Sequence, residues 1–268
     1  MSDAPQPDQP PAKIYLESRY RKLERGLPQT IFYCPVCKGD RRRAKKCTRC
    51  EGFGKLTKDS VQELIARCIL PVFRSRRGKF HGAGREDLDV LMLGSGRPFI
   101  FEVVGARNSD VDLGSLDARI AEVCAGRIEL TPFERVARER VAYWKEGQFS
   151  KVYRVCVQAA ADVDRAAVQA LVGRDLEILQ RTPTRVSHRR ADLERERGVT
   201  VVAAGDIGDR EFVLDLRCVH GTYVKEWISG DEGRTKPSLS EILAVQCTCS
   251  QLDVLDILTS PSPSAPSS

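Results

Sequence analysis

The sequence predicts an α+β protein: a mixed, mainly antiparallel central sheet flanked by helices, with a small four-cysteine module near its N-terminus. Three observations lead there. Short apolar runs with two-residue alternation recur along the chain, as in Lys151 to Gln158, Val199 to Ala204 and Phe212 to Val219. Two capped helical segments, beginning near Ser60 and Ser238, are interspersed with them. Two CxxC pairs lie close together between residues 34 and 50.

Taken in order, residues 1–12 are Pro-rich and read as a disordered tail, and residues 259–268, rich in Ser and Pro, read the same way. Residues 13–30 are a short polar, charged stretch that Pro28 ends. After the cysteine module, Asp59 or Ser60 is placed to cap a helix from Val61 to about Leu70. Glu63 suits a capping box, and Pro71 closes or kinks the helix. A Gly- and Arg-rich loop, Arg74 to Arg85, leads to a strand over 88–93. A turn at 94–97 and a second strand over 98–104 then make a hairpin. Residues 132–145 are helical or irregular, and 163–172 a helix. Residues 238–245 form a helix capped by Ser238 with Glu241. The implied organisation is an N-terminal segment (13–58) carrying the cysteine module (34–50), then a larger second region (59–258).

The chain has 268 residues, 41% apolar, enough for one large domain or a domain plus a small module. No apolar run reaches 18 residues, so no membrane span is expected. The first residues lack the order of a secretory signal. A disulfide framework is therefore not expected of the ten cysteines, and a reducing cytoplasm, or a nucleus, is the expected compartment.

Net charge is +6, a weak pointer by itself to a polyanionic partner. Its distribution says more. Seven Lys or Arg residues and one Asp lie between Lys38 and Arg49. A second basic run comprises Arg67, Arg74, Arg76, Arg77, Lys79 and Arg85. A third comprises Arg181, Arg185, His188, Arg189 and Arg190. Any one run can be a plain solvated face; three beside the motifs below point to a surface that tracks phosphates.

Cys34-Pro-Val-Cys37 and Cys47-Thr-Arg-Cys50 match a four-thiolate tetrahedral zinc site. Glycines at 39, 52 and 54 let the chain curl around the ion. So small a segment has no core of its own, so the metal would supply its folding energy. With all four positions cysteine, no position stays open for water, and the expected role is structural. The competing readings are four free thiols or a redox pair, the latter needing a thioredoxin-like helix start that the sequence lacks.

Gly84-Arg85-Glu86-Asp87 is weak alone and could be a surface turn with Arg and Asp paired. In context, KFHGAGREDLDV (79–90) followed by LGSGRPFIFE (93–102) resembles the archaeal and eukaryotic tRNA pseudouridine synthases that act on T-loop uridines, positions 54 and 55. RYRKLERGLPQT (19–30), SVQELI (60–65), SKVYRV (150–155), QRTPTRVSHRRADL (180–193), GTYVKEWISGDEGRTKPSL (221–239) and QLDVLDI (251–257) resemble the same family in the same order. The resemblance implies the pseudouridine synthase catalytic fold and isomerisation of a T-loop uridine in tRNA, position 55 first and 54 second. That reaction has no net redox change and needs no organic cofactor.

It further implies that Asp87 is the catalytic carboxylate, by attack at C1′ or by proton abstraction from the sugar. Arg85 could enter the space left by the extruded base. Tyr153 of the Lys-x-Tyr motif would stack on the target base; on pattern alone it is equally a cross-strand core tyrosine. Lys225 would pair with Asp87 and keep it ionised, where pattern alone allows a surface lysine at a strand end. Arg181, Arg185, Arg189, Arg190, Arg76 and Arg77 are the expected phosphate contacts.

The chain departs from the family in lacking an N-terminal THUMP-like RNA-binding domain and in carrying Leu91 where the family has Arg. A monomer is expected, with a separate RNA-binding partner to make up for the missing domain. Two other readings stay open: a catalytically silent tRNA-binding protein on the same fold, and a zinc-dependent nucleic-acid binder with the rest as scaffold.

Overall fold

The computed structural model describes residues 12–259, apart from 125 and 190. Most of both predicted tails therefore lies outside the described residues, as does Arg190. Ala12, assigned above to the first tail, is the first residue of a strand. The chain forms two compact units, residues 12–89 with 96–147, and residues 90–95 with 148–259.

The first unit begins with β1 (Ala12–Lys22), where the sequence suggested only a charged stretch. Ile14, Leu16, Ser18, Tyr20 and Lys22 all point inward; the alternation was masked because two of its inward positions are Ser and Lys. The cysteine module follows with one helical turn, α1 (Arg41–Ala44), and then α2 (Val61–Val72). Ser60 caps α2 by accepting from the Glu63 N–H at 3.2 Å, and the helix runs one residue past Pro71. Asp59 is not the cap: it lies buried between Arg67 and Arg127.

The predicted loop 74–85 contains a strand, β2 (Arg77–Gly82), antiparallel to β3 (Leu91–Ala106) from Phe99 to Val104. The predicted hairpin within 88–104 does not form. The chain passes straight through Gly94 to Arg97 as one 16-residue strand. Its glycines serve close approach rather than a reversal. A Cβ on Gly96 would meet the Tyr20 carbonyl oxygen at 2.9 Å, and one on Gly94 would meet the Leu255 carbonyl oxygen at 1.9 Å. The unit is completed by α3 (Leu113–Val123), β4 (Ile128–Leu130), β5 (Glu134–Arg135) and α4 (Arg140–Glu146); β4 and β5 pair with β1. The sequence carried no expectation for α3 and β4, while β5 and α4 fall in the stretch 132–145 expected to be helical or irregular.

The second unit holds β6 (Ser150–Ala159), α5 (Arg165–Gln169), β7 (Asp175–Arg181), β8 (Glu194–Gly205), β9 (Glu211–Cys218), α6 (Val224–Ser229), β10 (Thr235–Lys236), α7 (Leu239–Ile242) and β11 (Cys247–Leu258). Its sheet runs β10-β7-β8-β9-β6-β11, antiparallel throughout. Leu91 and Met92 of β3 add a parallel pairing on the far side of β11. The sheet is thus mixed and mainly antiparallel, as expected. The Ser238 and Glu241 capping box is present on α7. The predicted helix over 163–172 shrinks to one turn, capped by Asp164.

Candidate functional site

In the first unit, the segment from Ala83 to Asp89 has no regular structure and is fixed by buried polar groups beneath it. Glu86 is the keystone. Its carboxylate accepts from the Tyr20 hydroxyl at 2.8 and 2.9 Å and from Arg97 Nε at 2.7 Å, with both ionic side chains essentially inaccessible to water. Arg97 also donates to the Ala83 carbonyl at 2.7 Å. Gln29 donates to the Tyr20 hydroxyl oxygen at 2.8 Å and to the Gly84 carbonyl at 3.0 Å. The buried Lys22 ammonium donates to the carbonyls of Leu27 (2.9 Å), Asp87 (3.2 Å) and Leu88 (3.2 Å).

Burial pushes the Tyr20 hydroxyl well above its usual range, and the Glu86 charge pushes the same way, so it remains a donor. Burial lowers the Lys22 ammonium, and the nearby Glu86 charge works against that. Packing closes the base of the segment: Phe80 stacks on Phe99 at 5.0 Å, and Tyr20 meets both rings at about 6 Å.

The backbone around Asp87 is therefore held from below while Arg85 and Asp87 face outward, both exposed. The surface-turn alternative paired Arg85 with Asp87; the arginine that organises this turn is instead Arg97, twelve residues beyond Arg85, and its partner is Glu86. Sequence reasoning missed Glu86, Arg97, Lys22 and Gln29. The only available signal was that all four fall inside the quoted blocks RYRKLERGLPQT, KFHGAGREDLDV and LGSGRPFIFE.

In the second unit, Tyr153 is half-buried on β6 opposite Leu216 and Val254, on the face that carries Val155 and Val157 into the core. It is not a fully enclosed core residue. Cys218 at the end of β9 lies opposite Lys151, so the Gly221–Lys225 segment leaves the sheet at the end where Tyr153 opens. Lys225 sits on the first turn of α6 rather than at a strand end, and is half-buried.

Gln180, buried at the end of β7, grips this turn from both sides. It accepts from the Tyr223 N–H at 2.8 Å and donates to the Tyr223 carbonyl at 3.0 Å. Of the expected phosphate contacts here, Arg181 is exposed and paired with Asp192 at 2.6 Å. Arg185 bonds Glu226 at 2.5 Å and lies over the Tyr223 ring at 5.8 Å. Both arginines therefore already hold carboxylates. Arg189 lies in a short 3-10 turn; its side chain and all of Arg190 are outside what is described. In the first unit, Arg76 and Arg77 are exposed at the start of β2.

The four predicted cysteine ligands come together. Their sulfurs lie within 4.8 Å of one another, with Cys34–Cys47 at 3.8 Å and Cys37–Cys50 at 3.7 Å. A tetrahedron of thiolates with metal–sulfur bonds of about 2.3 Å has edges of about 3.8 Å, so the set fits one four-coordinate ion. Hydrogen bonds from the backbone, that of Cys37 foremost, bring the Cys34 thiol down to about 7, while burial pushes Cys37 up to about 11. The Gly54 N–H donates to Cys50 Sγ at 3.2 Å. Glycines 39, 52 and 54 all have positive φ, as expected. Apart from the cysteines, Ala44 is the buried member of this cluster and Leu56 packs against it partly buried, so these four residues could hold a metal ion that stands in for a core.

Comparison with known proteins gives these features a context. Proteins called tRNA pseudouridine synthase Pus10 are similar to this chain. That of Methanothrix thermoacetophila is 42% identical over 245 residues, 91% of this chain and 53% of the relative. That of Methanocaldococcus jannaschii is 41% identical over 247 residues, again 91% and 53%. That of Korarchaeum cryptofilum is 38% identical over 250 residues, 92% and 66%. The chain thus spans little more than half the length of the first two. Among solved structures, a chain of a Cbf5-Nop10-Gar1 complex aligns with a TM-score of 0.40 at 18% identity, over 74% of this chain and 45% of that one. A family model described as "Pus10, C-terminal" matches residues 15–258. That match takes in every described strand and helix save the first three residues of β1, and the chain belongs to the Pus10 C-terminal family.

Proposed function

We propose that the chain is a tRNA pseudouridine synthase that isomerises a T-loop uridine, at position 55 and second at 54, with Asp87 as its catalytic carboxylate. The observation that carries this reading is the anchoring of residues 83–89. Three charges, Glu86, Arg97 and Lys22, are buried to fix the backbone on both sides of an exposed carboxylate, a costly arrangement that suits a residue needed at one position. Membership of the family, and the name of its relatives, support it.

In this scheme the N1–C1′ bond of the uridine breaks, the base turns, and C5 joins C1′. The C5 proton goes to solvent, and N1 gains one. The Asp87 carboxylate acts at the sugar, either on C1′ or on a sugar proton. Tyr153 supplies a ring face and a hydroxyl to the base. Lys225 keeps Asp87 ionised, and Arg85 fills the place of the extruded nucleotide. Arg76, Arg77, Arg181, Arg185, Arg189 and Arg190 contact phosphates; Arg181 and Arg185 must exchange Asp192 and Glu226 for RNA to do so. Residues 59–258 carry catalysis. Residues 13–58 carry the module, whose ion is a structural zinc held by Cys34, Cys37, Cys47 and Cys50. The working form is a monomer, with a separate RNA-binding protein as its partner.

The test is tritium release from tRNA labelled at uridine C5. Wild type should release it and Asp87→Asn should not, with RNA affinity nearly equal. Equal release from both would remove Asp87 from the mechanism. No release from either, with RNA bound, would favour the silent binder.

A further inference from the structure

The sheet face of the second unit that carries Tyr153 also carries a guanidinium with no counter-ion among the described residues. In register, Tyr153, Leu216 and Val201 lie side by side on β6, β9 and β8. Lys151, Cys218 and Val199 form the next row toward the end of the sheet. Residues two apart on a strand share a face, so Arg197 of β8 stands on this same face, one row further out. The Val219 N–H bonds the Gly198 carbonyl at 3.1 Å, which continues the register past β9 and brings His220 level with Arg197.

Arg197 is half-buried. Its guanidinium lies flat against Gly221, where a Cβ would meet Nη2, Nε and Cζ at 3.2, 3.4 and 3.6 Å. Gly221 also has a φ of +80°, so both the backbone and the guanidinium call for glycine there. Among the described residues the group bonds only the Glu196 carbonyl, at 2.7 Å, and pairs with no carboxylate. Its neighbours differ: Arg154 holds Asp215, Arg181 and Arg234 hold Asp192, and Arg185 holds Glu226. The groups that act on Arg197 are largely positive. Burial lowers its guanidinium and the Arg195 charge adds to that. Burial likewise lowers the His220 imidazolium, with the Lys151 and Arg197 charges adding. A half-desolvated cation costs free energy until an anion completes it, and the planar guanidinium fork matches phosphate oxygens.

The spacing narrows the choice of anion. Two strand spacings of about 4.8 Å and four residues at about 3.4 Å put the Arg197 and Tyr153 Cα atoms about 17 Å apart. That is beyond the reach of one side chain. A base held at Tyr153 would therefore bring a flanking phosphate, not a part of the same ring, to Arg197. We propose that Arg197 is a substrate-binding residue that holds a backbone phosphate of the RNA, from a nucleotide flanking the one stacked on Tyr153, with His220 and Lys151 adding positive charge beside it. The assignment rests on the reading that the ligand is RNA with a base at Tyr153, and it makes no use of Asp87.

The experiment uses the whole chain and an unmodified tRNA transcript. Fluorescence anisotropy across a salt series gives the affinity and its salt slope, and thermal unfolding is recorded for every variant. Arg197→Met keeps the aliphatic stem and removes the charge. It should weaken binding about fivefold at low salt and flatten the slope of log K against log salt by about 0.7 to 0.9. Arg197→Lys keeps the charge without the fork, so it should keep the slope and recover only part of the affinity. In single-turnover tritium release, Arg197→Met should raise the half-saturating concentration about fivefold and leave the rate at saturation within about twofold. A second measurement needs no variant at Arg197. The His220 ring is titrated by NMR in the free protein and in the tRNA complex, its signal identified by its loss in His220→Gln. A phosphate at Arg197 should raise the His220 pKa in the complex. An unchanged salt slope in a folded Met variant overturns the proposal, as does a His220 pKa that tRNA leaves unmoved. Inorganic phosphate is titrated as the other anion. A saturable His220 shift that Arg197→Met abolishes, with the tRNA slope unchanged, would make this a small-anion site and overturn the RNA assignment. If the slope changes as expected but wild type releases no tritium, the catalytic reading fails and the assignment of Arg197 stands.

Discussion

Replacing Glu86 by Gln keeps the shape of the keystone and removes its charge. Glu86 accepts from Tyr20 through both oxygens and from Arg97 Nε, with ionic side chains 0% and 1% exposed. An amide offers one acceptor oxygen. Its NH2 must face either the Arg97 N–H or a Tyr20 oxygen already taken by Gln29. Charge-assisted hydrogen bonds contribute about 1.5–3 kcal/mol each, and a buried ion left without its partner costs about 3–5 kcal/mol. The substitution should therefore remove about 3–5 kcal/mol, a large part of a typical domain's stability. Urea denaturation reads this directly. Trp144 is buried in the first unit and Trp227 in the second, so single-tryptophan backgrounds would separate the two. A loss under about 1 kcal/mol would refute the argument, because it would mean Arg97 is solvated. The double variant Glu86→Leu with Arg97→Met removes both charges and should recover most of the stability. It should still lose turnover, since the Ala83 carbonyl then has no Arg97 donor to hold the turn. A double variant with wild-type turnover would show that the pair does not position Asp87.

Other expectations follow from the same contacts. Cys47→Ser should release the metal and expose residues 31–55 to protease; unchanged metal content would contradict a four-thiolate site. Gln180→Leu removes both bonds to Tyr223 and should lower kcat more than RNA affinity, a split that single-turnover tritium release can measure. Asp59 is raised by burial but lowered more by hydrogen bonds from Arg127 and Arg67, for a net depression below 3.8. Its stabilisation is complete above that unfolded-state value and is lost as pH falls through the lower folded one. The destabilisation caused by Asp59→Asn, read by urea titration, should therefore be largest near neutrality and shrink below pH 3.8; a cost that grows in acid would contradict the sign.

The elements legible in the sequence are those whose signal is local. Ser238 with Glu241 and Ser60 with Glu63 mark helix starts through bonds spanning three residues. β6 and β9 show plain alternation. The cysteine module was legible because its four cysteines, which could hold a metal ion in place of a core, sit in two tight turns. What stayed hidden depends on distant partners. β1 buries Lys22 and Ser18 where apolar residues would have signalled a strand; the lysine is tolerated only because three carbonyls meet it. β3 looked like two strands because glycines usually mark turns, whereas here they let neighbouring backbones come close. Glu86 is an acidic residue among charged neighbours, and nothing nearby shows that Tyr20, sixty-six residues earlier, will enclose it.

The position of β11 has a consequence for how the second unit is assembled. It follows every other element of that unit in chain order, yet it lies inside the sheet, bonded to β6 along one edge and to Leu91 and Met92 along the other. The partner residues Leu91 and Asp253 are separated by 162 positions, and the Asp253 carboxylate accepts the Leu91 N–H at 3.1 Å. During synthesis β6 and β9 can pair as soon as both have emerged, but the inner edge of β6 then stays unsatisfied until translation passes Leu258. For that interval the nascent chain presents an open strand edge, ready to zip onto another copy. Folding of this unit is thus a closing step timed by the ribosome, and trimming the chain before Cys247 would leave its edge permanently unsealed.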